Sequence, residues 1–305
     1  MTRRSFTGAL LSALLSAQQR QLPEAFDRLY NLDFDAALRL FEQDCRREPG
    51  NPDHFNNYAY GLLYRALFQA DALEGGLALS IGQYLRRPKV PFGGQQRQKF
   101  HEALSRADAA ARAKGETPAA VYALGVAQTH RANLALLVDK QWRTALEAGG
   151  EARKLHSRVL EMEPGFVDAM LAPSLHEYIV GSLPFYVRAL GFLVGFAGEK
   201  AKGIEGLRQV AARGQRARIE AQVLLALVEH REEHPERGVE IMKSLARDFP
   251  TNHLYRREAA LLLLASKRKE EARREMDALS RNSYPYLKPQ KLQDYRRDFE
   301  VKARA

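Results

Sequence analysis

Hydrophobic residues recur three and four positions apart over most of the chain, the spacing that places them on one side of an α-helix. Phe34, Ala37 and Phe41 form one such stripe, ended by Pro49-Gly50-Asn51. The stripe resumes at Phe55, Tyr58, Ala59, Leu62 and Leu67, with Asp53 expected as the N-cap. A second helix is expected around Leu73 to Arg86. The segment Arg87-Pro88-Lys89-Val90-Pro91-Phe92-Gly93-Gly94 breaks the pattern with two prolines and two glycines, and marks a loop. A long helix then runs from Gln95 to Ala113, with Gly115 as its C-terminal stop. Thr117-Pro118 opens the next helix with a cap and a first-turn proline. Its partner carries Ala152, His156 and Val159 before Pro164, and Trp142 between them is expected to be a packing anchor. Phe166 to Ile179 reads as another helix, interrupted at Gly181-Ser182-Leu183-Pro184. The most apolar run, Phe185–Phe196, is too short to span a membrane and is expected to be a buried helix. Helical stripes follow at Ala221–Glu233, Val239–Asp248, Leu254–Leu264 and Lys269–Leu279, then a charged helix from Gln290. Alternating β-branched runs are almost absent, so the fold class is all-α.

The residue types within these stripes have mechanical roles. A small residue lets two helices approach, a large one fills the gap beside it, and a proline stops the helix. Phe34, Ala37, Phe41 and Pro49 resemble the second helix of a tetratricopeptide repeat, with Asp44 standing where a further small residue is usual. Leu124-Gly125 resembles the Leu-Gly pair of a first helix, and Ala152 with Pro164 its partner. Gly238 with Pro250, and then Ala272, repeat the small position. Gly238 and Ala272 are 34 residues apart, the period of that repeat. The resemblance implies a right-handed superhelical array of antiparallel helix pairs, an α-solenoid, irregular in the middle where Gly125 and Ala152 are 27 residues apart. The charged last helix reads as its polar cap.

The central stretch Gly181-Ser182-Leu183-Pro184, Leu190-Gly191-Phe192, Gly195-Phe196, Gly198-Glu199-Lys200 and Gly203-Ile204 through Leu207 is similar to the helical region of the tetratricopeptide repeat protein 39 and inclusion-body-clearance family. That likeness implies a non-enzymatic helical scaffold.

Composition is that of an ordinary soluble protein, 45% hydrophobic and 28% charged. The 47 basic residues against 37 acidic ones give +10, concentrated in Arg208–Arg218, Arg256–Arg274 and Lys288–Arg304. No zinc finger, RNA-binding signature or arginine-aromatic platform is present, so nucleic acid is not an expected partner. The single Cys45 cannot form an internal disulfide. Thr2-Arg3-Arg4-Ser5-Phe6 precedes an apolar run ending at Ala17, the layout of a bacterial export signal of twin-arginine character. The expected organisation is therefore an export signal over 1–17, a repeat domain over 18–280 and a tail with a basic capping helix over 281–305. The expected location is periplasmic or secreted, with the cytoplasm as the alternative.

No enzymatic constellation emerges, and no cofactor is expected. His230-Arg231-Glu232-Glu233-His234 has a metal-ligand spacing, but Pro235 ends the helix there and no third ligand accompanies it. Gly198-Glu199-Lys200-Ala201-Lys202-Gly203 lacks the Ser or Thr and the preceding strand of a phosphate loop. The expected function is a scaffold that holds a protein or peptide in a concave groove, with Asn56, Asn57, Tyr60 and Tyr64 on the inner side. The alternative is a membrane-surface protein using residues 183–196 and the basic C-terminal third.

Overall fold

The structure, a computed structural model, describes residues 22–74, 86–182 and 198–304. The export segment 1–17, most of the helix expected from Leu73 to Arg86 and the apolar stretch 183–196 lie outside the described residues.

The described residues form thirteen α-helices and contain no strand. They are α1 (Glu24–Tyr30), α2 (Phe34–Arg47), α3 (Pro52–Gln69), α4 (Gly94–Ala113), α5 (Pro118–Asn133), α6 (Trp142–Met162) and α7 (Leu171–Gly181). After the second gap come α8 (Lys200–Arg213), α9 (Arg218–Arg231), α10 (Pro235–Asp248), α11 (His253–Ala265), α12 (Lys269–Arg281) and α13 (Pro289–Arg304). Each helix packs against the next along the whole series, and α13 also covers α11.

Local chemistry sets the boundaries. Asp33 caps α2 by accepting the Ala36 N–H at 3.3 Å, and Thr117 caps α5 through Ala120 at 3.3 Å. Asn51, not Asp53, caps α3: its side-chain oxygen accepts the Asp53 N–H at 3.1 Å. The reason is Pro52, which occupies the first helical position without an N–H and so places the cap at Asn51, two residues upstream of the expected one. Gly115 takes a left-handed φ of 70° just past α4, where a side chain would be strained.

The small positions lie at close helix contacts. Ala37, Ala152 and Ala272 are buried, and Phe34 and Phe41 fill the space beside Ala37. A methyl group on Gly125 would sit 2.4 Å from the His156 ring, and one on Gly238 would sit 3.0 Å from the Ala226 carbonyl. Leu124 is half-buried beside this seam, while Pro49, Pro164 and Pro250 are exposed in the turns that end α2, α6 and α10. The long interval between Gly125 and Ala152 has a simple cause. A π-helical turn, Leu134–Val138, prolongs α5, and α6 runs 21 residues. Trp142 departs from expectation: it is 49% exposed, because it stands at the first turn of α6, beyond the helix's buried face of Ala145, Ala152, His156 and Val159.

Helices α7 and α8 meet backbone to backbone. A methyl on Gly203 would lie 2.4 Å from the Tyr178 nitrogen, and one on Gly206 would lie 2.0 Å from Ser174 Oγ. The glycines of Gly198–Gly203 therefore serve packing.

The chain also returns on itself. One hydrophobic cluster joins Ala25, Leu29, Phe34, Phe41 and Tyr60 to Ile219, Met242, Leu263 and Phe299. Polar bonds reinforce the closure. Thr251 Oγ1 donates to the Asn31 carbonyl at 2.8 Å, and Asn252 Nδ2 to the Tyr30 carbonyl at 2.8 Å. The Tyr295 hydroxyl donates to Glu74 at 2.6 Å, and the Lys291 ammonium lies 2.8 Å from Asp71 and 2.9 Å from Glu74. An open array would contact only sequence neighbours; here the first helices are bound to the last.

Candidate binding surface

The closure gathers polar and aromatic side chains that the sequence keeps far apart. Tyr30 ends α1, Tyr60 and Tyr64 stand one turn apart on α3, Glu220 is in the first turn of α9, and Tyr255 is in the first turn of α11. The Tyr30 hydroxyl donates to Glu220 Oε1 at 2.5 Å. The Tyr60 and Tyr64 rings lie 4.2 Å apart between centroids, tilted by 41°, and His130 of α5 flanks Tyr60 at 5.6 Å.

Burial dominates the electrostatics. Desolvation raises the Glu220 carboxyl above its usual range, although the Tyr30 bond and the nearby Tyr60 hydroxyl favour the carboxylate. Tyr60 is close enough to act on Glu220 electrostatically, yet Oε2 remains buried without a well-formed hydrogen bond. Desolvation, and then the Glu220 charge, raises Tyr30, Tyr60 and Tyr255, so all three phenols stay protonated. Desolvation lowers His130 to about 4, which keeps its imidazole neutral.

Asp168 organises the entry to α9. Its Oδ1 accepts three consecutive backbone N–H groups, from Gln215 at 2.8 Å and from Arg216 and Ala217 at 3.0 Å. Arg216, held in this turn, reaches Asp53 at 2.8 Å and lies 5.5 Å from the Tyr122 ring. One loop thereby aligns α9, which carries Glu220, against α3 and α5.

The four groove residues expected from the sequence divide. Asn56 is only 1% exposed and its Nδ2 donates to the Ala123 carbonyl at 2.9 Å, tying α3 to α5. Tyr60 is buried in the cluster. Neither stands on an open groove wall: Asn56 is held against α5, and Tyr60 packs between Tyr64 and His130 within the main hydrophobic cluster. Asn57 and Tyr64 are half-buried, as are Glu220 and Tyr255. Tyr30, Glu220 and Tyr255 carry no local signal in the sequence, since their roles arise from contacts across about two thirds of the chain.

The basic stretches are largely matched by acids. Glu229, buried, receives Arg208 at 2.8 Å and Arg237 at 3.2 Å. Arg256 pairs with Glu275 at 2.7 Å, and Arg268 with Glu271 at 2.6 Å. His230 is half-buried and His234 exposed at the start of α10. Among the described residues, no group of three or more potential metal ligands comes together. No described helix is long and apolar enough to cross a membrane.

Compared with known proteins, the chain matches no family model and no curated protein.

Proposed function

We propose that this chain is a non-enzymatic scaffold of the tetratricopeptide-like kind, a right-handed superhelix of antiparallel helix pairs that binds a protein or peptide on its inner helix layer. The observation that carries the reading is the Tyr64–Glu220–Tyr255 rim, half-buried above a rigid, hydrogen-bonded base of Tyr30 and Tyr60. Tyrosine supplies large contact area at low entropic cost, and a preorganised base limits the ordering required on binding. The rim combines aromatic rings with the half-buried Glu220, so it favours a segment that presents donors, above all lysine or arginine.

Selection from a peptide library checks this directly. The expected result is enrichment of segments with a basic residue, lost in Tyr64→Ala and weakened in Glu220→Gln while both variants remain cooperatively folded at the assay temperature. Enrichment indifferent to both substitutions would sink the reading.

Export belongs to the same proposal, with the mature chain beginning near Gln18. N-terminal sequencing of the protein recovered from its native cell tests it; an intact Met1 or Thr2 terminus would place the scaffold in the cytoplasm.

A further inference from the structure

We propose that the corner where α5 passes into α6 docks on a bilayer surface bearing anionic phospholipid. Trp142, the chain's one tryptophan, is 49% exposed, and Leu146 is 59% exposed. They are four residues apart and share one side of α6. The Arg143 guanidinium lies 5.2 Å from the Trp142 ring centroid.

Basic residues outnumber acidic ones here: Arg87, Lys89, Lys140 and Arg143 stand beside the exposed Glu147, which follows Leu146. Asp139 is held by both terminal nitrogens of Arg97, at 2.7 and 3.0 Å. The Lys140 ammonium donates to the Leu137 carbonyl at 2.8 Å, and Arg87 to the Glu74 carbonyl at 3.1 Å. Bonds to carbonyls position the Lys140 and Arg87 side chains at this corner. Desolvation, then the Arg87 charge, pushes the Lys140 ammonium down, which places the two cations near each other. Lys89 is exposed and adjoins Val90, whose N–H reaches the Val138 carbonyl at 3.3 Å. The Pro-rich loop is thereby fastened beside the π-turn.

This is the chemistry of the headgroup layer. Tryptophan settles at the membrane–water interface, and flanking lysine and arginine find phosphate there. The C-terminal basic stretches are less suited, since Arg256 and Arg268 are already paired with Glu275 and Glu271. The inference is independent of the inner-layer reading, because no residue of the Glu220 cluster takes part.

The lone tryptophan makes the test local. The full chain is mixed with vesicles of phosphatidylcholine alone, and of phosphatidylcholine with phosphatidylserine, while Trp142 emission is followed. The expected result is a blue shift and quenching by brominated lipid with the anionic vesicles only, reversed by high salt. Lys89→Glu and Arg143→Glu should each weaken partitioning at least about fivefold, as loss of one surface cation implies. Leu146→Ser should weaken it as well. Flotation with unchanged Trp142 emission would overturn the proposal by assigning membrane contact to another part of the chain. A concentration-dependent blue shift without lipid would also overturn it, in favour of a second copy of the chain as occupant.

Discussion

The Tyr30 hydroxyl donates to Glu220 Oε1 at 2.5 Å across 190 residues of sequence, joining the first described helix to the ninth. This bond ties the contact between distant helices to the electrostatics of the protein's interior. Removing the hydroxyl leaves a buried carboxyl with less compensation. Tyr30→Phe should therefore cost about 1–3 kcal/mol. Urea unfolding measures it, and an unchanged midpoint would show that the pair does not hold the closure.

Glu220 itself opposes folding at neutral pH. Burial raises its folded pKa above the ordinary 4.5, so the folded state binds the proton more tightly than the unfolded chain. Its favourable contribution is full below 4.5 and is lost as pH rises through the raised folded value. Glu220→Gln still accepts from Tyr30 through its amide oxygen. The variant should lack the stability loss that wild type suffers as pH rises from 4.5 toward neutrality. Parallel stability–pH curves for the two proteins would contradict this.

Three buried histidines act in the opposite direction. Desolvation lowers His130, His156 and His253 from 6.5 to about 4. The unfolded chain then binds more protons, so their contribution is full above 6.5 and is lost as pH falls toward 4. In the Glu220→Gln background, which removes the competing carboxyl, stability should decline steadily across that window. Imidazole NMR titration should show all three rings still neutral at pH values where a free histidine is protonated.

Two glycine substitutions should differ sharply. At Gly203 a methyl meets the Tyr178 nitrogen at 2.4 Å and the Ser174 carbonyl at 2.7 Å, both backbone atoms that cannot rotate away. Gly203→Ala should destabilise by about 1–3 kcal/mol or more. At Gly149 the nearest atom is Ala132 Cβ at 4.0 Å. Gly149→Ala should be neutral or stabilise by up to about 1 kcal/mol through helix propensity. Melting temperatures of the two variants test the α7–α8 seam.

Asp168→Ala should cost about 2–4 kcal/mol, because three backbone N–H groups lose one charged acceptor. Asp168→Asn retains the oxygen and should cost less. Equal losses for the two would mean that the acceptor is not what holds the α9 turn.

Much of the local architecture was legible. The alternation of stripes and breakers located α2 from Phe34, α4 ending before Gly115, α5 after Thr117 and the pair around Gly238 and Ala272. Those features depend on propensity, capping and left-handed turns, which act within a few residues. The Asp53 cap was misplaced by two residues because Pro52 occupies the first helical position, so the cap falls on Asn51. The π-turn at Leu134–Val138 escaped notice because one extra residue per turn leaves the apolar pattern almost intact.

The candidate site was much less legible. Asn56 and Tyr60 were expected on an open wall because α3 alone offers no sign of what covers it. Trp142 was expected inside because its size usually demands burial, yet its position on the first turn of α6 leaves it half-exposed.

By itself, the sequence determined the helices, their order and the small residues at which neighbours approach, since each depends on contacts close along the chain. Tertiary structure alone decided that Tyr30 meets Glu220, that Asp168 anchors α9, and that Tyr60 is buried among residues from both ends of the chain. The physical reason is distance along the chain: these contacts join helices far apart in sequence, and only the packing of all the helices between them brings the two ends together.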